Sequence, residues 1–301
     1  MKTPDYLKHG DTIGFLSTAR KATKEELKPV IEFVKELGLQ VKIGATIGAE
    51  HHQFAGDDAL RISDMQNMLD DPDIKAIWCV RGGYGTVRII DALNFEKFLE
   101  HPKWIIGYSD MTVLHAHINK LGVKSLHAPI AATVMNNTQE SIDSIQTVLM
   151  GNPYAIEIAN SNKLSRYGTA EGRLTGGNLS IVYSLCGSSS CIDTNGKILF
   201  LEDLDEYLYH IDRMMMNLKR NGLLDNLAGL IVGGLTDMND NDTPFGKQAE
   251  EIIADAVKEY DYPVCFDFPA GHIDDNRTLV MGNQVRLTVS EGRVGLEFLN
   301  E

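Results

Sequence analysis

The residue types of a serine hydrolase follow one another along this chain, each at the end of an apolar run. Ser109 comes first, the carboxylates Glu202 and Asp203 come next, and His272 comes last. A serine hydroxyl attacks a carbonyl only when a base takes its proton and nearby donors stabilise the oxyanion that forms. A carboxylate that bonds one histidine nitrogen leaves the other nitrogen able to serve as that base. The order and setting of these residues therefore predict nucleophilic acyl transfer.

Ser109 is predicted to lie at a corner between a strand and a helix. Trp104 to Ile106 reads as a short buried strand, and Met111 to Leu121 reads as a helix with one apolar face. Such a corner aims the first helical N–H groups at a bound group, so the amide of Asp110 could stabilise an oxyanion. The match to the Gly-x-Ser-x-Gly elbow is incomplete, because Met111 stands where the second glycine belongs. The structural alternative is that Ser109 is a helix N-cap.

A glycine-rich loop, Arg81-Gly82-Gly83-Tyr84-Gly85, follows the strand predicted before that of Ser109. Ligands bind open parallel sheets at the carboxyl ends of the strands, where both segments should lie. Glycine permits close backbone approach, so Gly83 could donate a second oxyanion amide. A dinucleotide site is the weaker interpretation, because Arg88 replaces the third glycine. A tight turn without a ligand is the structural alternative.

The carboxylate and the base each have rivals in the sequence. Glu202 follows the strand Ile198 to Leu201, which would hold it on a rigid element, but Asp203 and Asp205 are close by. His272 follows a strand-like segment and a Pro-Ala-Gly turn. The other histidines considered lie on the helix after Ser109 (His115 and His117) or in a loop (His51 and His52), and His115 is the serious local alternative.

The first half of the chain alternates strand-like and helical segments. Predicted strands are 12–16, 40–43, 74–80 and 104–106, and predicted helices are 24–37, 59–69, 87–93, 111–121 and 139–149. This alternation predicts an α/β fold with a mostly parallel sheet. The second half has shorter strands, with a long strand-like stretch at 279–289 and helices at 210–220 and 246–260. It favours a smaller, β-rich, partly barrel-like α+β domain.

A composition change divides the chain. Residues 1–150 are predicted to form the domain with the nucleophile, and residues 171–301 a second domain with the glutamate and the histidine. The polar segment 151–170, which begins Gly-Asn-Pro, is the predicted linker.

Charge and composition limit the partners. The 301 residues carry a net charge of -14, which argues against nucleic acid and anionic membrane surfaces as partners. The first ten residues carry no apolar signal core, and no apolar run has the length of a membrane span, so a cytoplasmic enzyme is the simplest interpretation. The four cysteines lack paired metal-ligand spacing and read as reduced core residues.

Five ordered motifs together resemble the LD-carboxypeptidases, the serine peptidases that include muramoyltetrapeptide carboxypeptidases and microcin immunity peptidases. The motifs are 81–85 (RGGYG), 107–110 (GYSD), 172–179 (GRLTGGNL), 198–203 (ILFLED) and 269–272 (PAGH). The resemblance implies a Rossmann-like domain joined to a β-rich one, and a triad of Ser109, Glu202 and His272. It also implies oxyanion amides from Gly83 and Asp110, no cofactor or metal, and a homodimer.

The resemblance implies release of the terminal D-alanine from a muropeptide tetrapeptide at an L-to-D bond, in cytoplasmic cell-wall recycling. An exopeptidase must hold the free carboxylate of its substrate, for which arginine is the natural partner. Arg81, Arg173 and Arg277 are the arginines considered for this role, and Asn178 is a further substrate-binding candidate.

Two other functions remain open. An immunity-type peptidase would cleave a peptide nucleotide or an acyl-sulfamoyl adenylate, and it would need an aromatic shelf for the purine. No tryptophan occurs in 171–200, although Tyr183 or Tyr207 could substitute. A protein that binds a small peptide without turnover is the third interpretation, and it predicts that Ser109→Ala leaves function intact.

Overall fold

The computed structural model describes residues 1–299. Its first compact unit comprises Met1–Pro153 and Asp274–Leu279. The strands of this part of the chain are β1 (Thr12–Leu16), β2 (Gln40–Ile43), β3 (Ile74–Cys79), β4 (Trp104–Gly107) and β5 (Ser125–His127). The helices are α1 (Lys28–Glu36), α2 (Asp58–Asp70), α3 (Glu96–Glu100), α4 (Thr112–Lys120) and α5 (Gln139–Leu149).

The strands of the first unit pair in parallel, as the alternation of strands and helices predicts. β1 lies between β2 and β3, and β4 lies between β3 and β5. β1, β3 and β4 are almost wholly buried, which is typical of a parallel sheet with apolar strands. The loops after β3 and β4 therefore leave the same edge of the sheet, and these loops carry the glycine-rich segment and Ser109.

Local sequence signals fix several helix ends. The side chains of Asp57 and Thr138 accept backbone N–H groups of Leu60 and Ser141, which starts α2 and α5. α1 begins only at Lys28, with Pro29 in its first turn, so the predicted start at residue 24 is four residues early.

The predicted helix 87–93 is wrong. The structure has two short 3₁₀ turns there, Thr86–Arg88 and Ile90–Ala92. The branched side chains of Val87, Ile89 and Ile90 lower helix propensity in a segment too short for a stable helix.

The second unit comprises Tyr154–Ile273 and Val280–Glu301. The strands of this part of the chain are β6 (Ala155–Ile158), β7 (Gly168–Asn178), β8 (Ile198–Leu204), β9 (Gly229–Thr236), β10 (Val264–Cys265), β11 (Leu279–Met281), β12 (Gln284–Ser290) and β13 (Arg293–Phe298). Its helices are α6 (Leu179–Ser184), α7 (Leu208–Arg220) and α8 (Ala249–Ala256).

Seven of these strands form a mixed sheet in the order β10-β9-β8-β7-β12-β13-β6. β7 to β10 pair in parallel, whereas β7, β12, β13 and β6 pair antiparallel. Within residues 1–299 this sheet is open, with β10 and β6 at its two edges. It does not close into the partly barrel-like arrangement that the sequence predicts.

Two further predictions, the stretch 279–289 and the helix 246–260, differ from the structure. The stretch 279–289 is two strands, because Gly282, with a φ of 85°, turns the chain between them. β11 joins the sheet of the first unit, next to β5. The helix predicted over 246–260 is shorter, since it starts with a capping box between Gln248 and Glu251 and ends at Ala256. The segment 151–170 contains β6, whose Ile156 is buried.

None of the helices in the described part of the chain is both long enough and apolar enough to cross a bilayer.

Candidate active site

Ser109 lies at a strained corner between β4 and α4. Its backbone has a φ of 64°, in the left-handed region that non-glycine residues seldom adopt. The 3₁₀ turn Ser109–Met111 follows, and α4 begins at Thr112. The residues at the N-cap positions of these helices, Tyr108 and Met111, make no side-chain cap. Ser109 is therefore not an N-cap, and its conformation is that of a nucleophile elbow.

Gly82 faces the side chain of Ser109. A Cβ atom at Gly82 would lie 3.0 Å from Ser109 Cβ and 3.1 Å from Ser109 Oγ. Both distances are shorter than ordinary van der Waals contacts, so a methyl group here would press on the serine side chain, and the glycine leaves the space beside the serine hydroxyl open. The sequence analysis singled out Gly83 of this loop as an oxyanion donor, whereas the structure shows that Gly82 lies next to the Ser109 side chain.

Gly83 has a φ of 103°, and the stem of Arg20 packs against it. A Cβ atom there would come within 2.3 Å of Arg20 Cδ and 2.5 Å of Arg20 Cγ. The positive φ favours glycine at this position, whereas the stem of Arg20 is a flexible neighbour. Arg20 was missed from the sequence because it lies far along the chain from the loop that it touches.

The carboxylate of Asp110 ties the glycine-rich loop to the serine corner. Its Oδ2 accepts the backbone N–H of Thr86 at 2.8 Å, and the side chain is 1% exposed. Burial raises the pKa of Asp110, and its hydrogen bonds to Thr86 and Gly85 oppose the rise. The side chain of Asp110 thus holds the loop that contains Gly83, in addition to the amide role expected for its backbone.

His115 is not placed to act as the base. Its Nε2 bonds the carbonyl oxygen of Gly107 at 2.8 Å, and its Nδ1 bonds the hydroxyl of Ser125 at 2.9 Å. Burial lowers the pKa of His115 to about 4, and the bond to Gly107 opposes this only in part. The ring is neutral and uses both nitrogens to support the end of β4.

In the second unit, Glu202 and His272 are hydrogen-bonded. His272 Nδ1 donates to Glu202 Oε2 at 2.6 Å, and the backbone N–H of His272 donates to the same oxygen at 3.3 Å. Glu202 is fully buried near the end of β8, and the His272 side chain is 13% exposed. The bond at Nδ1 fixes the tautomer in which Nε2 can accept a proton.

Glycines allow this close approach. Gly271 has a φ of 108°, and a Cβ atom there would lie 2.7 Å from Glu202 Cβ and 2.8 Å from Glu202 Oε2. The pairing of β8 with β9 is shifted between Leu201 and Asp203, opposite Gly233 and Gly234. The N–H of Gly234 donates to the carbonyl of Ala270 at 3.0 Å, which anchors the loop before His272 on β9.

The charge of Glu202 controls the protonation of His272. Burial by itself would lower the pKa of His272, but the charge and hydrogen bond of Glu202, with the charge of Asp203, raise it above its ordinary value. His272 therefore holds a proton more firmly than a free imidazole, a property that suits a general base.

Asp203 has a different role from Glu202. Its carboxylate accepts Asn178 Nδ2 at 2.9 Å and the N–H of Ser180 at 2.8 Å. Burial, and then the neighbouring charge of Glu202, raise the pKa of Asp203 to about 7. Asn178 is the N-cap of α6 and is 3% exposed, so these two side chains hold the start of that helix. Asp205, the third carboxylate considered, accepts Asn239 Nδ2 at 2.9 Å.

The three arginines considered for the substrate carboxylate each have a protein partner. Arg81 pairs with Glu26, and Arg277 pairs with Asp275 through Nε at 2.9 Å and Nη2 at 2.9 Å. Arg173 donates to the carbonyl of Gly282 at 3.1 Å.

The cysteines of this chain are free thiols. Cys79 and Cys265 are buried, and Cys186 and Cys191 are half-buried. Burial raises the pKa of Cys265 to about 12, so it stays a thiol. Across residues 1–299, no three His, Cys, Asp or Glu side chains form a group that could hold a metal ion.

Family models match both halves of the chain: the LD-carboxypeptidase N-terminal domain over residues 13–128 and the LD-carboxypeptidase C-terminal domain over residues 171–287. A probable murein peptide carboxypeptidase of Bacillus subtilis is 32% identical over 305 residues, which cover 98% of this chain and 94% of the relative. The microcin C7 self-immunity protein MccF of Escherichia coli is 26% identical over 324 residues, or 95% of this chain and 93% of the relative.

The muramoyltetrapeptide carboxypeptidase of Oxalobacter formigenes has a crystal structure that superposes with a TM-score of 0.86 and 26% identity. The match covers 96% of this chain and 99% of that one. The family models cover most of the chain, and the Bacillus relative matches nearly all of it. The chain therefore belongs to the LD-carboxypeptidase family of serine peptidases.

Proposed function

We propose that this enzyme releases the terminal D-alanine from a muropeptide tetrapeptide, by cleaving an L-to-D peptide bond in the cytoplasm. The observation that carries the proposal is the buried Glu202–His272 pair in a chain whose GYSD serine has a left-handed backbone. The activities named for the Bacillus and Oxalobacter relatives support the choice of a murein peptide. The expected homodimer is part of the proposal.

In the first half of the reaction, Ser109 Oγ attacks the scissile carbonyl carbon while His272 Nε2 takes the hydroxyl proton. The oxyanion of the tetrahedral intermediate is stabilised by the backbone N–H groups of Gly83 and Asp110. The C–N bond then breaks. The imidazolium returns its proton to the departing amine, D-alanine leaves, and the peptide remains as an ester on Ser109.

In the second half, water resolves the ester. His272 takes a proton from the water, whose oxygen attacks the ester carbonyl, and the same amides stabilise the second oxyanion. The C–O bond to Ser109 breaks as the proton passes from His272 to Ser109 Oγ, which releases the tripeptide and restores the enzyme. Throughout, the carboxylate of Glu202 accepts the Nδ1–H of His272 and stabilises the imidazolium.

The test compares the wild type with Ser109→Ala and with Ser63→Ala, an exposed serine on α2. Each protein is incubated with a tetrapeptide ending in D-alanine, with chelator present, and free D-alanine is measured by mass spectrometry. Release by the wild type and Ser63→Ala alone is expected. Equal release by Ser109→Ala would contradict the assigned nucleophile, and a tetrapeptide ending in L-alanine tests the stereochemistry.

The relative named as a microcin self-immunity protein makes acyl-sulfamoyl adenylate the second substrate to test. The exposed side chains of Tyr207 and Tyr209, whose ring centroids are 5.5 Å apart, offer aromatic surface in the second unit. Cleavage of this compound without D-alanine release would favour the immunity function. Binding of the tetrapeptide by wild type and Ser109→Ala, with turnover by neither, would favour a binding protein.

A further inference from the structure

Arg20 packs on the glycine pair that lies beside Ser109. Its stem covers Gly83, where a Cβ atom would be 2.3 Å from Arg20 Cδ, and its backbone N–H donates to the carbonyl of Gly82 at 3.4 Å. A Cβ atom on Gly82 would in turn lie 3.1 Å from Ser109 Oγ. Arg20 is thus next to the loop that borders the serine hydroxyl and carries the proposed oxyanion amide.

The backbone that carries Arg20 is held in place. The N–H of Lys21 donates to the carbonyl of Gln53 at 3.0 Å, and the N–H of Ala55 donates to the carbonyl of Ala19 at 3.0 Å. Arg20 also forms a β-bridge with Phe54. A charged group on a fixed backbone loses less entropy when it binds a ligand.

The guanidinium of Arg20 differs from the others of the first unit. It is exposed, and none of the hydrogen bonds or ion pairs among residues 1–299 involves its guanidinium. The remaining arginines of that unit are all occupied: Arg61 and Arg88 bind Asp58, Arg81 binds Glu26, and Arg277 binds Asp275. A chain with a net charge of -14 needs a local cation to attract an anionic peptide.

We propose that Arg20 binds the terminal carboxylate of the peptide substrate and thereby makes the enzyme an exopeptidase. The inference rests on the proposed function. In a C-terminal residue the carboxylate carbon is two bonds from the scissile nitrogen, so it must lie close to the serine and the oxyanion amides during attack. A guanidinium presents paired N–H donors that match the two oxygens of a carboxylate.

The experiment compares two substrates, a tetrapeptide ending in D-alanine and the same peptide with its terminal carboxylate converted to an amide. The variants are Arg20→Gln and Arg20→Lys. The matched control is Lys21→Gln, which removes the next charge along the chain, one paired with Glu50 at 3.0 Å. Thermal unfolding confirms that each variant is folded.

The wild type should prefer the free acid in kcat/KM by about 10- to 100-fold, the range of a hydrogen bond to a charged group. Arg20→Gln should abolish this preference by lowering kcat/KM for the acid and leaving that for the amide unchanged. Arg20→Lys should keep part of the preference, and Lys21→Gln should keep all of it. The assignment would be overturned if Arg20→Gln kept the wild-type preference for the free acid. It would also be overturned if kcat/KM fell equally for the acid and the amide.

Binding separates this inference from the proposed function. In the Ser109→Ala background, Kd for both peptides is measured with and without Arg20→Gln. If the wild type does not turn over the peptide but Arg20 still sets the preference for the acid, the proposed reaction fails and the carboxylate assignment stands. If the wild type cleaves the peptide, and Arg20→Gln changes the preference for the free acid neither in kcat/KM nor in Kd, only the Arg20 assignment fails. If neither peptide binds or reacts, both fail.

Discussion

The fully buried carboxylate of Glu202 accepts a hydrogen bond from His272 Nδ1 at 2.6 Å, from a histidine seventy positions later in the chain. The pair is built on β8 and on a loop anchored to β9. Its glycine neighbours leave no room for side chains that would separate the two groups. The orientation of the His272 ring is therefore set by residues of the second unit.

Replacement of Glu202 by glutamine keeps its shape and removes its charge. We expect kcat to fall by about 10³- to 10⁴-fold, because the imidazolium loses its ionic partner and the tautomer is no longer fixed. The measurement is D-alanine release at saturating peptide. Glu206→Gln is the matched control, since Glu206 accepts His210 Nδ1 at the same 2.6 Å. Equal losses in the two variants would show that the effect is general destabilisation.

The pH dependence of kcat/KM should report His272. The base must be neutral to accept the serine proton, so activity should rise as pH increases through the pKa of His272, which lies above 6.5. Glu202→Gln should move this limb to lower pH. Because the folded-state pKa is raised, the pair stabilises the fold at low pH and loses that contribution as pH rises through the pKa. An acidic limb that stays in place in the variant would contradict the assignment.

Gly82→Ala should impair catalysis more than folding. The added methyl group would press on Ser109 Cβ and Oγ at 3.0 and 3.1 Å, and displacement of the nucleophile should lower kcat by about 10- to 100-fold. Gly295→Ala serves as the control, because nothing lies within 4 Å of a Cβ atom at Gly295. Kinetics and thermal unfolding of both variants are compared. Unchanged kcat in Gly82→Ala would show that the space beside Ser109 is not needed.

Asp110→Ala should destabilise the first unit. The change leaves the backbone N–H of Thr86 without its acceptor, which should lower the free energy of unfolding by about 1–3 kcal/mol. Asp110→Asn keeps an acceptor oxygen in the same place and should recover most of the loss. Urea unfolding measures both variants. If the free energy of unfolding of Asp110→Ala differs from that of the wild type by less than about 0.5 kcal/mol, the hydrogen bond between Asp110 and Thr86 does not stabilise the glycine-rich loop.

His115 should contribute to acid sensitivity without acting as the base. Its folded-state pKa of about 4 lies below the ordinary 6.5, so the unfolded chain takes up a proton first as pH falls. Stability should decline between about pH 6.5 and pH 4, by roughly 3 kcal/mol at most. His115→Gln should lack this decline and retain activity within about tenfold. Unfolding at pH 7 and pH 5 tests the first point, and loss of activity as large as in His272→Gln would disprove the second.

The sequence by itself determined most of the first unit and the family. Apolar runs and helical periodicity placed β1 and α5 at their observed bounds, because these elements follow local patterns of burial. The bounds of β2 were also predicted correctly, although its residues are exposed or half-buried. The prediction failed at 87–93 and at the turn in 279–289, where short-range backbone preferences outweigh periodicity. Five motifs in a fixed order were specific enough to indicate the family, which the comparisons confirm.

Only the tertiary structure decided which side chains are partners. It joined Glu202 to His272 and placed Asp203 at the start of α6, although both carboxylates stand at the end of the same strand. It also occupied Arg81 with Glu26 and brought Arg20 to Gly83. The physical reason is that hydrogen bonds and close packing depend on the direction of each side chain and on residues remote in sequence. A linear pattern of polar and apolar residues does not specify either one.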